Sequence, residues 1–449
     1  MLAWIALVLA LYPAAFAQDS GAAAQAAAPE TWNLYYQATS IGMRHASFPA
    51  LYSGPLSLID TPEHDVSLTS TIYLGYRFKS VEFYLDPEIA GGRGFSNVDG
   101  LANSENGELP RIARATPTPY LARLFATYTF GFGDQTENVE SGPNQLGGSV
   151  AKTRYSVSLG RFSVTDFFDD NQYSHDPRTQ FIGWAAMYNG AWDYPADTRG
   201  YTWGWVHQLF WSNWTFRYGS AAMPRVANGP SLDRRIFVNR GDVYEVDHQH
   251  QWRGRKGTVR VLAYQNRARA GNYAEALRLS ASTGAPPDVT ATRKDGTLKY
   301  GAGISWDQEV ATDAGIFGRL GWNDGKTESF AFTAMDRLAS AGISVGGARW
   351  HRQHDTAATL LTFGGISGVH ALYLSRGGLD FLIGDGRLNY GPETLWESYY
   401  NAQVTKWFWA GPDLQFVVNP AYNRDRGPLW IEALRLHIEL GKETFQMRH

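Results

Sequence analysis

Along most of this chain, polar and apolar residues alternate one by one. In DVSLTSTIYLGYRF, Val66, Leu68, Ile72, Leu74, Tyr76 and Phe78 fall on one face, and Asp65, Ser67, Thr69, Thr71, Tyr73 and Arg77 on the other. A helix turns once per about 3.6 residues and would mix the two sets, so this period predicts a β-strand. The stretch TWNLYYQAT does the same, setting Trp32, Leu34, Tyr36 and Ala38 against Thr31, Asn33, Tyr35 and Gln37. Similar segments are marked near 81–86, 120–132, 153–162, 201–211, 213–220, 243–253, 258–265, 297–309, 315–322, 339–351, 355–363, 394–408, 414–422 and 429–440, which gives sixteen predicted strands and an all-β fold. The pattern is weakest near 201–211 and 339–363.

The connections alternate in length. Lys79-Ser80, Gly254 to Gly257 and Ala410 to Asp413 are tight, whereas Pro87 to Pro119 and Ser163 to Gly200 are long. Short turns at one end, long loops at the other, an even strand count and both termini on the turn side describe a transmembrane antiparallel β-barrel of the outer-membrane kind. Gly133 to Lys152 breaks this rule, being long on the turn side.

Such a barrel explains LWESYYNAQVTKWFW, in which Glu397, Tyr399, Asn401, Gln403 and Thr405 alternate with Trp396, Tyr400, Ala402, Val404 and Phe408. The first set suits a lumen and the second suits lipid. A charge on the lipid face at the midplane would cost about 2–4 kcal/mol, which predicts that Lys406 sits at an interface beside a girdle containing Trp407 and Trp409. A soluble sandwich also alternates, but its loops need not differ between ends. The last strand, LWIEALRLHIEL, sends Trp430, Leu434, Leu436, Ile438 and Leu440 outward and Arg435, His437 and Glu439 inward.

The amino terminus adds the compartment. Residues 1–17, MLAWIALVLALYPAAFA, read as an export signal with an Ala15-Phe16-Ala17 cleavage site, and 18–30 as an Ala-rich linker. That places the barrel domain at 31–440 and a short tail at 441–449. No later run of about eighteen apolar residues is present, so a helical span is excluded and a closed barrel is the remaining way to cross a membrane. The chain of 449 residues has no Cys, which excludes disulfides, thiolate nucleophiles and cysteine-ligated metal. Its formal net charge of -3 gives no reason to expect a nucleic-acid partner.

Six ordered stretches carry a resemblance: YSGPLSL from Tyr52, DPEIAGGRGFSN from Asp86, GRFSVTDFFDDNQYSHDPRTQF from Gly160, GRLGWNDGKTESFAF from Gly318, YLSRGGLDFLIGDGRLNYGPE from Tyr373 and DLQFVVNPAYNRDRGP from Asp413. Through nearly all of the mature chain, the sequence resembles the carbohydrate-selective porins of the OprB type, outer-membrane barrels of Gram-negative bacteria. The resemblance implies sixteen strands, passive diffusion of small sugars, in-folded loops and an eyelet lined by arginine and acidic groups. It implies no enzyme activity and no cofactor. Outer-membrane lipid is the expected surrounding, and a homotrimer is one assembly left open.

A sugar filter needs hydrogen-bond partners for hydroxyls and flat apolar faces for the ring. Arg93 with Glu88 and Asn97, on the first long loop, forms one candidate set; the bland alternative is a turn at Gly91, Gly92 and Gly94 with a solvated Arg93. Parity turns Arg77, Arg123, Arg154, Arg319 and Arg435 inward, with Arg77 too near a periplasmic turn to reach an eyelet. The second long loop gathers Asp166, Asp169, Asp170, Asn171, His175, Asp176 and Arg178 among aromatics. Asp169 and Asn171 are its sugar-contacting candidates; a calcium site there lacks the Gly and Glu of an EF-hand.

His248 and His250 share a strand face with Tyr244, Val246 and Trp252, which favours packing over metal. Asn213-Trp214-Thr215 and Arg240-Gly241-Asp242 match short motifs that recur by chance. Two other functions remain open to the sequence: a porin for small anionic solutes, and a closed structural or adhesive barrel.

Overall fold

The computed structural model describes residues 28–109 and 114–441. The export signal, most of the linker and the tail from residue 442 lie outside the described residues. The strands run in chain order as β1 (Trp32–His45), β2 (Glu63–Phe78), β3 (Val81–Gly92), β4 (Arg114–Val139), β5 (Gly148–Phe162), β6 (Thr202–Trp211), β7 (Trp214–Ala222) and β8 (Arg240–Trp252). They continue as β9 (Arg255–Ala270), β10 (Lys294–Ala311), β11 (Ala314–Asn323), β12 (Arg337–Gly346), β13 (Thr356–Gly365), β14 (Glu393–Thr405), β15 (Phe408–Val418) and β16 (Leu429–Leu440). Every strand pairs antiparallel with its sequence neighbours, and β16 returns to β1, from Tyr36 opposite Leu440 to His45 opposite Ile431. Closure leaves no strand edge unpaired, the condition for a sheet in hydrocarbon.

The alternation sets which face is which. In β2, Val66, Leu68, Ile72, Leu74, Tyr76 and Phe78 are exposed on the outside, while Ser67, Thr69, Thr71 and Tyr73 are buried inside. In β16, Trp430, Leu434 and Leu436 point out and Arg435 and His437 point in. The inward residues are buried because loops fill much of the lumen.

All sixteen predicted strands are present, with differences at their ends. The long stretch 133–152 is mostly strand: β4 and β5 stay paired as far as Val139 opposite Gly148, leaving only 140–147 as the turn. That turn folds back onto the barrel mouth, where Asn33 Nδ2 donates to the carbonyls of Gly142 (3.2 Å) and Gln145 (2.7 Å), and Asn144 Nδ2 reaches Asp86 (2.9 Å).

Ala410 to Asp413 is strand and not a turn; the chain reverses at Lys406-Trp407. Gly-Pro reads as a turn, but Pro412 lies where the β14–β15 pairing is interrupted, so its missing N–H is tolerated. Lys406 therefore sits at the periplasmic rim as expected, next to an exposed Trp407. Trp409 turns inward toward His437, with ring centroids 5.8 Å apart, and is not part of the lipid-facing girdle.

Glu88 lies in β3 and not in a loop, because the strand continues past Pro87 through a register shift at Asp86/Pro87. Arg240-Gly241-Asp242 is extended β8 backbone. His248 lies 4.2 Å from the Trp214 ring, and His250 hydrogen-bonds Gln308 at 3.0 Å.

Candidate functional site

The loop between β5 and β6, residues 163–201, enters the barrel. It starts with a capping turn at Ser163–Asp166, in which the Ser163 N–H donates to Asp166 Oδ2 (3.0 Å). It then carries Phe168, Phe181, Ile182, Trp184, Ala185, Met187 and Trp192 into the interior, all nearly free of solvent. One short helix, α1 (Trp184–Met187), lies in its middle.

Buried backbone N–H groups need acceptors, and inward carboxylates of the wall supply them. Glu397 of β14 accepts from Gly183 N (3.2 Å) and from Ile182 N (2.6 Å), and Glu245 of β8 accepts from Asp169 N (2.8 Å). Asn171 Nδ2 donates to Ser305 Oγ (3.1 Å) and the Trp306 carbonyl (3.0 Å) of β10. Arg319 of β11 closes on Asp169 (2.9 and 3.0 Å), and Arg435 of β16 donates to the carbonyl of Pro177 (3.1 Å). The loop is thus stitched to the β8–β16 side of the barrel.

From that position its remaining charges face β1–β5. Arg178 Nη2 lies 3.1 Å from Glu88 Oε2, its Nε 3.1 Å from Glu108, and its Nη1 donates to Gln37 (2.9 Å) and to the Tyr73 hydroxyl (2.6 Å). Glu88 also accepts from Thr71 (2.5 Å), from Tyr120 and from the Tyr201 hydroxyl (3.2 Å). Arg123 of β4 grips Asp166 with two nitrogens (2.7 and 2.6 Å) and lies 3.4 Å from Asp86. Arg161 pairs with Asp197 (2.7 Å), and the Arg199 guanidinium lies 4.1 Å from the centroid of the Tyr120 ring. Guanidinium and carboxylate groups hold one another in fixed planes here, with tyrosine rings between them. Burial pushes the Glu108 carboxyl above its ordinary value, against the pull of Arg178.

The nine residues singled out from the sequence separate into four places. Glu88 and Arg123 belong to this network. Asp169, Asn171, Arg319 and Arg435 are buried and fasten the loop. Arg93 and Asn97 are exposed where β3 leaves the barrel, and Arg154 sits near the periplasmic end, paired with Glu137 (2.6 Å) and over the Phe210 ring.

A carbohydrate-selective porin family model, OprB, matches residues 73–440. The chain belongs to the OprB family of carbohydrate-selective porins. It is therefore a porin of the Gram-negative outer membrane and not an enzyme. No curated protein matches its sequence at a significant level. Among solved structures, it is similar to the high-pH structure of Pseudomonas putida OprB, at 16% identity and a TM-score of 0.68 over 92% of this chain and 94% of that one. Acinetobacter baumannii OccAB1 aligns at 10% identity and a TM-score of 0.47, over 92% of this chain and 97% of that one. Pseudomonas aeruginosa OccK2 in complex with glucuronate aligns at 10% and 0.44, over 92% and 98%.

Sequence reasoning about this porin passed over Glu108, Tyr120, Arg161, Arg199 and Tyr201, and noted Arg178 only as one of many loop charges. Parity marked Tyr73 as inward, but it sets Tyr120 on the face opposite to Arg123, and only the register shift at Asp86/Pro87 brings Tyr120 beside Glu88 on the inner face. Nothing local distinguishes Arg178 from Asp176 or His175, because its partners lie on β1, β2 and β3, far away in sequence.

A second in-folded element bears on pH. In the loop 366–392, helix α3 (Gly368–Ser375), capped by Ser367, packs on helix α2 (Tyr273–Thr283). His370 is fully buried, with Nδ1 3.2 Å from Asp336 and Nε2 3.1 Å from Asp380, the latter an ion pair and not an aligned hydrogen bond. The Tyr273 ring stacks on it at 4.3 Å and its hydroxyl donates to Asp380 (3.0 Å). Burial alone would lower the imidazole's pKa, but the two carboxylates outweigh it and push it up to about 9. Asp336 is correspondingly held below its ordinary value: burial opposes this, and His370 outweighs burial.

Since the folded pKa of His370 lies above the unfolded one, its stabilisation is complete below about pH 6.5 and lost as pH rises through about 9. The Asp336 contribution has the opposite sense, being lost as pH falls below its ordinary range. Hydrogen exchange across α3 should therefore report a loss of protection of on the order of 3 kcal/mol between about pH 6 and pH 10 after correction for intrinsic exchange. A His370→Gln variant should show no such slope; an equal slope in the variant would assign the effect elsewhere.

Proposed function

We propose that this porin lets small neutral sugars diffuse across the outer membrane and selects them at the network formed by Arg178, Arg123, Glu88, Glu108 and Asp166 with Tyr73, Tyr120 and Tyr201. The observation that carries the reading is the close matching of guanidinium groups by carboxylates on one lumenal wall. Sugar hydroxyls both donate and accept, so such a wall offers partners of both kinds at fixed spacing. Tyrosine rings beside it offer flat apolar surface to a pyranose face. A filter for anions calls instead for guanidinium groups left uncompensated, and these are paired.

The test is single-channel current through the purified protein in a planar bilayer while neutral mono- and disaccharides are titrated. Dose-dependent block is the expected result. Conductance untouched by sugars, with strong anion preference, would replace this reading with an anion porin. Near-zero conductance from a correctly folded barrel would replace it with a structural or adhesive one.

A further inference from the structure

The first part of the loop 223–239 packs against the other loops, with Met223 fully buried and the Gly229 carbonyl accepting from Thr198 N (3.1 Å). The loop's distal part lies outside the wall, where Leu232, Arg234 and Ile236 join the outward residues Leu159, Trp203 and Trp205 around an apolar groove of about 530 Å³. Next to Ile236, Phe237 is 89% exposed and Val238 43%. A phenylalanine left that open to water gives up its burial free energy, so the loop surface is built for an apolar neighbour.

The same rim is cationic. Arg240 lies directly across from Arg267 in the β8–β9 pairing, and Arg269 follows on the same exposed face of β9. Like charges in opposed positions are destabilising unless an anion joins them. The carboxylates of this region are already taken: Asp233 and Asp295 by Arg235, and Asp242 by Arg240 Nε (3.0 Å). Among the described residues, the side chains of Arg234, Arg267 and Arg269 make no hydrogen bond or ion pair.

These strand ends lie at the loop end of the barrel, the end that meets the outer leaflet in barrels of this kind. We infer that this face is a binding site for a phosphorylated, acylated lipid of the outer leaflet, with an acyl chain in the Trp203–Trp205–Ile236 groove and phosphate at Arg234, Arg267 and Arg269. The combination of an apolar groove and uncompensated guanidinium groups at its upper end matches that amphiphile and no neutral lipid. A second copy of the chain is a poorer fit, because the rim carboxylates Asp242 and Glu432 are already engaged by Arg240 and Arg44.

The experiment uses the full-length porin in detergent, with native mass spectrometry reading the binding of diphosphorylated hexa-acyl lipid A, phosphatidylcholine and a soluble glucosamine phosphate. Lipid A should bind at least about tenfold more tightly than either of the others, and Arg234→Ala/Arg267→Ala/Arg269→Ala should remove that preference. Phe237→Ser, on the exposed loop, should weaken lipid A binding independently and leave sugar block and the heat-modifiable gel shift of the barrel unchanged. Equal binding of phosphatidylcholine, or lipid A binding unaltered in both variants, would overturn the site. Glucosamine phosphate binding as tightly as lipid A would overturn the role of the groove, and a stable dimer occupying this face would overturn the choice of lipid.

Discussion

Replacing Arg319 by Ala is expected to raise the single-channel conductance and abolish sugar block while the barrel still forms. Arg319 is 1% exposed, and its guanidinium holds five groups of the in-folded loop at once: the Asp169 carboxylate and carbonyl (3.3 Å), the Ser174 hydroxyl (2.7 Å), the Ser174 carbonyl (2.5 Å) and the Ala186 carbonyl (3.3 Å). Removing it leaves Asp169 buried without a counter-charge and the carbonyls short of a donor, a cost of about 3–5 kcal/mol. The sixteen-strand ladder does not depend on this side chain, so the loop is what moves away. Lysine should not rescue the variant, since an ammonium group cannot present a planar fork to acceptors on several sides. Wild-type conductance and block in Arg319→Ala would mean that Glu397 and Glu245 suffice to hold the loop.

The second large effect is expected from Arg178→Ala. Arg178 lies between Glu88, which is nearly closed to bulk water, and Glu108, which is partly buried. Without the guanidinium, Glu88 loses its counter-charge, while Glu108, already pushed up by burial, is pushed further toward its neutral form, which leaves added negative charge on this wall. The pore should become more cation-selective, and sugar block should weaken by at least about tenfold, the equivalent of one charge-assisted hydrogen bond of about 1.5–3 kcal/mol. Reversal potential in a salt gradient and the half-blocking sugar concentration read the two effects separately. Arg93→Ala, which removes an exposed side chain at the end of β3, should change both much less. Equal effects from the two variants would move the filter to the extracellular mouth.

Much of the fold was legible because a barrel wall is a local code. Val66 and Ser67 take opposite faces whatever the loops do, and the inward parity of Arg123, Arg319 and Arg435 follows from that rule alone. Errors fell where a residue signals more than one thing. Pro87 and Gly411-Pro412 read as strand ends, yet both lie at interruptions of pairing that accommodate proline inside a strand. Gly133 to Lys152 reads as a loop because its alternation fades beyond the register shift between Phe132 and Thr136, although the two strands stay paired to Val139 and Gly148.

The candidate site was legible only in part. Inwardness does not say how far an arginine stays open to the lumen: Arg123 and Arg319 look alike in sequence and each grips an aspartate of the in-folded loop, yet only the latter is fully buried by it. The sequence by itself determined the closed antiparallel barrel, its two faces and the end bearing the long loops, since period-two alternation and turn length are properties of neighbouring residues. Only the tertiary structure decided how the long loops fold into the barrel, that Arg178 meets Gln37, Tyr73 and Glu88, and that the distal part of the loop 223–239 lies on the outside. Those outcomes depend on buried N–H groups and charges finding partners 70 or more residues away, and no local pattern encodes that pairing.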